Sequence, residues 1–193
     1  MRQKSKSYTY SEYQSFFEGL ALDNSSDELI KKIKLNWSSA KRGDKTYVSL
    51  PETTQFLSNL KKKYKLLIIT EPWCGDAAQI VPVIAGLAKE SSNLEVEVVL
   101  RDENDSLMSR HLTNGGKAVP IIVIVDQNTD EELGSWGPRP SEAQKIVIAY
   151  KALPEEERAP YSDFVQKMKM WYKNDKTVSI QQEFIKKVTE LCS

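Results

Sequence analysis

Cys74 stands in the segment Thr70-Glu-Pro-Trp-Cys-Gly-Asp-Ala-Ala78, between an apolar run and an amphipathic one. A thiol in the first turn of a helix faces unpaired backbone N–H groups and the positive end of the helix dipole, and both favour thiolate. A thiolate there can attack a disulfide sulfur and form a mixed disulfide. Trp73 would wall one side of the sulfur. Two residues on, Asp76 works against the dipole by holding a proton on the sulfur, or else simply stabilises the helix start. Glu71 adds to that negative field or points to solvent. Cys192 falls on the apolar stripe of a C-terminal helix and reads as a small buried hydrophobe. Docked beside the Cys74 loop, it would instead be a second redox thiol. His111, the only histidine, reads as a surface or capping residue. The sequence contains no metal-ligand cluster, so neither metal nor cofactor is expected.

The elements that must position this loop are legible from hydrophobic period. Lys65–Thr70 is a continuous apolar run, as in a strand buried on both faces. A helix through Ile80, Val83, Ile84 and Leu87 follows. Leu94–Leu100 alternates as a strand, Asp105–Leu112 is a short helix, and Asn114-Gly115-Gly116 is a turn. Ile121–Val125 is a strand, and Glu132–Trp136 pairs back on it as a hairpin. Ser141 and Gln144 cap a helix carrying Ala143, Ile146, Val147 and Tyr150. The order is β-α-β-α-β-β-α, in which strands separated by helices should be parallel and the final hairpin antiparallel.

Helices flank this unit. Thr9 and Glu12 have capping-box spacing ahead of Tyr13, Phe16, Phe17 and Leu20. Ser25 and Glu28 repeat the signal ahead of Leu29, Ile33 and Trp37. A third helix starts at Pro51, buries Phe56, Leu57 and Leu60, and ends on Lys61-Lys62-Lys63, which suits the helix dipole. At the far end Tyr161, Phe164, Val165, Met168, Trp171 and Tyr172 form one stripe. Phe184, Ile185, Val188, Leu191 and Cys192 form another, starting at Ser179 with Gln182 as its cap partner. The divisions are an N-terminal helical extension over 1–63, a core over 64–153 and C-terminal helices over 154–193, packed as one structural domain.

The 27 basic and 27 acidic residues cancel, which gives no global argument for nucleic acid or an anionic membrane as partner. The polar start, Met1–Tyr8, lacks the apolar run of a signal peptide, and no stretch approaches the roughly 20 apolar residues that span a bilayer. Two cysteines are too few for a disulfide framework. Cytoplasm is the expected compartment.

Taken together, these pieces resemble the thioredoxin superfamily, whose active site is Trp-Cys-Gly-Pro-Cys between a strand and a helix. The resemblance is strongest to a bacterial group of thioredoxin-like proteins with Trp-Cys-Gly-Asp in that loop. Three further pieces match it: Leu100-Arg-Asp-Glu-Asn104, Leu112-Thr-Asn-Gly-Gly116 through Val119-Pro120, and Leu133-Gly-Ser-Trp-Gly-Pro138. The match spans about 64–153 and is specific as a set. It implies an α/β thioredoxin fold, a three-layer sandwich with added N- and C-terminal helices. It also implies a cis Val119-Pro120 bond lying against Cys74, with the Val119 backbone free to pair with a bound peptide. Cys74 is then the catalytic position, and Trp73, Gly75, Asp76, Val119 and Pro120 shape the substrate site.

The chain departs from that pattern at two places. Ala77 stands where the second cysteine of Cys-x-x-Cys belongs, and Asp76 replaces the usual proline. The intramolecular step that resolves a mixed disulfide cannot occur in this loop. One reading is a monothiol thiol–disulfide exchange protein, whose partners are a disulfide-containing protein or a low-molecular-weight thiol such as glutathione. The alternative is a non-redox binding or scaffold module that recognises a peptide or protein in the cis-proline cleft. Peroxide sensing through a Cys74 sulfenic acid is a third. Arg101 and Lys117 are candidates to offset the charge of Asp76, but the default reading of each is a surface salt bridge. The sequence leaves the oligomeric state open.

Overall fold

The computed structural model of the chain describes residues 6–192. Most of the polar start considered above, residues 1–5, lies outside them. The chain enters as a short strand, β1 (Ser7–Thr9), and turns directly into α1 (Tyr10–Ala21). Thr9 makes that switch. Its hydroxyl accepts the Glu12 N–H, and the Glu12 carboxylate accepts the Thr9 N–H at 2.7 Å, completing the capping box. The sequence reads this region as helical only, because three residues are too few for a strand period to show.

Two more helices follow, α2 (Glu28–Thr46) and α3 (Pro51–Asn59). Asp27, not Ser25, caps α2, accepting the Leu29 N–H at 2.7 Å; the Ser25 N–H is turned back onto Asp23. α3 ends before the lysine run, so Lys61–Lys63 sit on the loop into the sheet and do not complement its last turn.

The remaining elements are β2 (Tyr64–Thr70), α4 (Ala77–Lys89), β3 (Leu94–Leu100), α5 (Asp105–Met108), β4 (Ile121–Asp126), β5 (Glu132–Trp136), α6 (Ser141–Ala152), α7 (Tyr161–Asp175) and α8 (Val178–Cys192). The five strands lie in the order β1-β3-β2-β4-β5. β2 and β3 are parallel, as expected, from Tyr64↔Leu94 to Thr70↔Leu100. β4, however, runs antiparallel to β2, which corrects the expectation that all helix-separated strands are parallel. Ile121 pairs with Ile69, so β4 starts at the end of the sheet where β3 stops. A parallel β4 would need a connection returning about 20 Å along the sheet, and a four-residue helix supplies only about 6 Å. α5 is also shorter than expected, because Arg110 and His111 close tight i→i+3 turns onto Leu107 and Met108 at 3.1 and 3.0 Å.

The remaining capping expectations fail because other side chains hold the groups. Ser141 and Gln144 do not cap α6, since Ser141 donates to Glu183 of α8 at 2.6 Å and Gln144 accepts from Arg139. Ser179 lies inside α8 against Asp175, and Gln182 reaches Glu52. Distant partners have taken Ser141 and Gln182, and partners four and five residues back have taken Ser179 and Gln144.

Burial explains why this frame is rigid around the loop before α4. Ile121–Val125 are all buried, so both faces of the sheet are covered. α4 is buried nearly all round, from Ala77 and Ala78 through Ile80–Ala85 to Leu87 and Ala88. Its outer side is closed by α2, where Gly43 lies so near Pro82 that an added Cβ would sit 3.1 Å from the ring. Gln181 of α8 is fully buried and fully bonded, accepting from the Leu50 N–H and donating to the Val48 carbonyl and the Thr177 hydroxyl.

Candidate functional site

Thr70 ends β2 at the carboxyl edge of the parallel pair, and the chain turns through Glu71-Pro72-Trp73 into α4. Cys74 N–H donates to the Glu71 carbonyl at 3.0 Å, and the Cys74 carbonyl accepts from Ala78, so Cys74 belongs to the turn that opens the helix. Asn36 of α2, 5 % exposed, donates to the Pro72 carbonyl at 3.0 Å and pins the loop from behind. Sequence reasoning passed over Asn36, although a polar residue on the buried side between Ile33 and Trp37 was the signal.

The sulfur lies between two backbone groups. Its S–H donates to the Val119 carbonyl at 3.1 Å, and the Ala77 N–H points back at it from 3.5 Å. The Val119-Pro120 peptide is cis, as is Gly137-Pro138. Gly137, at φ +130, lies so close to Pro120 that an added Cβ would meet the Pro120 carbonyl oxygen at 2.4 Å. Only glycine fits there, and the loop after β5 therefore buttresses the proline.

Cys74 is 9 % exposed, and this burial pushes its thiol up to about 11. Asp76 adds to the rise. The Ala77 and Asp76 N–H groups and Arg139 pull the other way without prevailing. Roughly one thiol in ten thousand is then ionised at neutral pH. The helix start does favour thiolate as anticipated, but desolvation outweighs it.

Asp76 precedes α4 yet its side chain caps nothing. Arg139 donates to Oδ2 through Nε at 3.0 Å and Nη2 at 2.6 Å, and the Tyr172 hydroxyl donates to Oδ1 at 2.7 Å. Arg139 also donates to Gln144 at 2.6 Å. Both charged side chains are largely buried. Arg139 and Tyr172 therefore offset the Asp76 charge, and Arg101 and Lys117 take the surface salt bridges that are their default reading. Arg101 pairs with Asp102 at 2.7 Å and donates to the Lys117 carbonyl, while the Lys117 ammonium pairs with Asp105. Tyr172 was visible only as a polar tip on an apolar stripe. Arg139, held between two prolines, carried no sequence sign of its partner.

The other expected residues fall as follows. Trp73 is half-buried, with the Arg101 guanidinium 4.5 Å and the Lys32 ammonium 5.8 Å from its ring centroid. Gly75 is exposed at the tip of the loop. Glu71 points inward, is 6 % exposed and accepts the Asp102 N–H at 2.9 Å; burial raises its carboxyl above the usual range. His111 is not a surface residue: its side chain is 10 % exposed beside Glu132, and burial lowers its imidazole. Cys192 lies against the Tyr64 hydroxyl, at the far end of β2 from Cys74. Seven strand residues separate the two ends by about 20 Å. Among the described residues no group of three His, Cys, Asp or Glu side chains could hold a metal ion, and no helix is long and apolar enough to cross a membrane.

A family model described as Thioredoxin matches residues 23–153. Among curated proteins, none matches the chain. Two solved structures are similar in fold. One is a protein of unknown function from Pseudomonas aeruginosa, 16 % identical over 75 % of this chain and 88 % of that one, with a TM-score of 0.52. The other is an HIV epitope-scaffold, 14 % identical over 95 % of this chain and 99 % of that one, with a TM-score of 0.59.

Proposed function

The chain belongs to the thioredoxin family, and from that premise we propose that it carries out thiol–disulfide exchange by a monothiol route through Cys74. The observation that supports this best is the placement of the sulfur, with the Ala77 N–H aimed at it from 3.5 Å and the Val119 carbonyl at 3.1 Å. A disulfide substrate displaces the S–H bond to Val119, and the thiol loses its proton to solvent. The thiolate attacks one substrate sulfur, a Cys74–substrate disulfide forms, and the other sulfur leaves as thiolate and is protonated. An external thiolate then attacks the substrate sulfur and releases Cys74 with its electron pair. Ala77 offers no second sulfur, and Cys192 is too distant. A reducing compartment, the cytoplasm, supplies such thiols.

Mass spectrometry of protein purified under mild oxidation tests this reading, with a disulfide adduct on Cys74 as the expected result. A Cys74 that alkylates only in strong alkali and carries no adduct would falsify it.

A second reading, a non-redox module binding a peptide beside Pro120, draws support from the burial of Cys74 and its raised pKa. Cys74→Ser separates the two. Full function in that variant favours binding, and complete loss favours exchange.

A further inference from the structure

A groove of about 630 Å³ lies between the 113–118 turn and α6, within the size range of small-ligand sites. Val147 and Ile148 give it apolar lining, while Lys117, Arg139 and Lys151 supply three cations; no carboxylate lines it. Cys74 does not line the groove, but two of its wall residues adjoin groups that touch the thiol site. Ala118, on its wall, precedes Val119, whose carbonyl accepts the Cys74 S–H. Arg139, also on its wall, holds Asp76.

The three cations are not equally committed. Arg139 is balanced by Asp76 inside the protein. Lys117 pairs with Asp105 at the surface, and an exposed pair of that kind is weak and exchangeable. Lys151 has no ion-pair partner and no side-chain hydrogen bond among the described residues; its backbone carbonyl accepts from Arg158 at 3.0 Å. The turn that carries Lys117 is firmly set. Thr113 and Gly116 exchange backbone bonds of 2.9 Å around Asn114 (φ 50) and Gly115 (φ 76), the two-residue pattern of a tight hairpin. Two cations with exchangeable or vacant valence thus line the groove beside Val147 and Ile148, and its wall residue Ala118 is one residue from Val119, whose carbonyl holds the reacting sulfur.

We infer that this groove selects disulfides in which one half is a small thiol bearing carboxylates, and that this half lies between Lys117 and Lys151. The inference rests on the exchange reading above and names its substrate class. The Cys74 thiolate attacks the sulfur of the groove-bound half, and a Cys74–ligand disulfide forms. The other half leaves with the electron pair and takes up a proton. A second molecule of the same thiol, as thiolate, attacks the ligand sulfur, giving its symmetrical disulfide and freeing Cys74.

The test measures adduct formation on Cys74 with three probes: 3,3′-dithiodipropionate, neutral 2-hydroxyethyl disulfide and cationic cystamine. Each rate is divided by that of the same probe with free 2-mercaptoethanol, which removes intrinsic reactivity. The carboxylate probe should lead the neutral one by about tenfold, since two surface cations contribute a few-fold each, and high salt should erase the lead. Lys117→Glu combined with Lys151→Glu should put cystamine first. Normalised rates that agree within about twofold, well below the effect of two such charges, or an order that survives charge reversal, would overturn the groove while leaving the exchange reading intact. Absence of any adduct would remove the exchange reading. The groove is then judged on Cys74→Ser protein titrated with dithiodipropionate by NMR. Amide shifts at Gln144, Ile148 and Lys151, absent with cystamine, support it, and unmoved amides overturn it.

Discussion

Asp76 lies two residues from Cys74, and its carboxylate opposes ionisation of the thiol. Its own charge is shared by the Arg139 fork and the Tyr172 hydroxyl. Asp76→Asn deletes the negative charge and keeps one acceptor oxygen for Arg139, while its amide N–H faces the Tyr172 hydroxyl, whose oxygen can accept it; Arg139 is left to attract a thiolate. We expect the alkylation midpoint of Cys74 to fall and the rate at neutral pH to rise by roughly tenfold or more, measured by iodoacetamide labelling across pH. An unchanged profile would mean that burial alone controls the thiol. Ala77 is the other decisive residue. Its N–H already faces the sulfur, so Ala77→Cys should close an intramolecular bridge to Cys74 on oxidation, read as the loss of two hydrogens by mass spectrometry. Of this residue-scale detail, the sequence carried Cys74, Trp73 and Asp76, because the motif is local. It did not carry the desolvation that sets the thiol's protonation, which depends on Val119 and other residues packed over the loop from elsewhere in the chain.

At the scale of elements, the loop is held from α2 through one side-chain bond, Asn36 to the Pro72 carbonyl. Asn36→Leu removes the donor and leaves that carbonyl buried and unpaired, a change of about 1–3 kcal/mol in unfolding free energy, accessible by urea titration. Cys74 alkylation should quicken in the same variant as the loop loosens, and a rate that stays fixed would show that α4 positions the sulfur unaided. Elements with strong periods were legible in the sequence, β2, β3 and β4 to within a residue and α4 by its apolar stripe. The first strand and the start of α6 were settled by distant partners. β1 exists because β3 offers it a ladder, and α6 begins uncapped because Glu183 holds Ser141. The direction of β4 was hidden because a connection across one end of a sheet and a connection back along it look alike in sequence.

Across the whole molecule, a buried protonated thiol is a source of pH-dependent stability. The folded pKa of Cys74, about 11, exceeds that of the exposed thiol, so its contribution is fully present below the unfolded value and is lost as pH rises through the folded one. The difference corresponds to roughly 3 kcal/mol. Thermal unfolding of Cys74→Ala should therefore fall less steeply than that of the parent between about pH 9 and pH 11, the window between the two values. Cys192 takes no part in the site. Its position beside Tyr64, at the other end of the sheet, puts it far beyond the Cα separation of at most about 7 Å that a disulfide can bridge. Cys192→Ser should leave exchange rates unchanged, and oxidation should give no internal bridge in the parent chain.

The rims of the sheet carry a consequence for life in a crowded solution. One rim is β1, three residues long, too short to offer another molecule a ladder. The other is β5, irregular opposite Ile124 and Val125 and overlaid at Gly134 by Leu191. Were Ser7–Thr9 trimmed away, β3 would lose its cover over Glu97–Val99 and present its whole edge, Leu94–Leu100, to any passing strand. Concentration-dependent light scattering by the trimmed protein would reveal Ser7–Thr9 as a sheath against self-assembly.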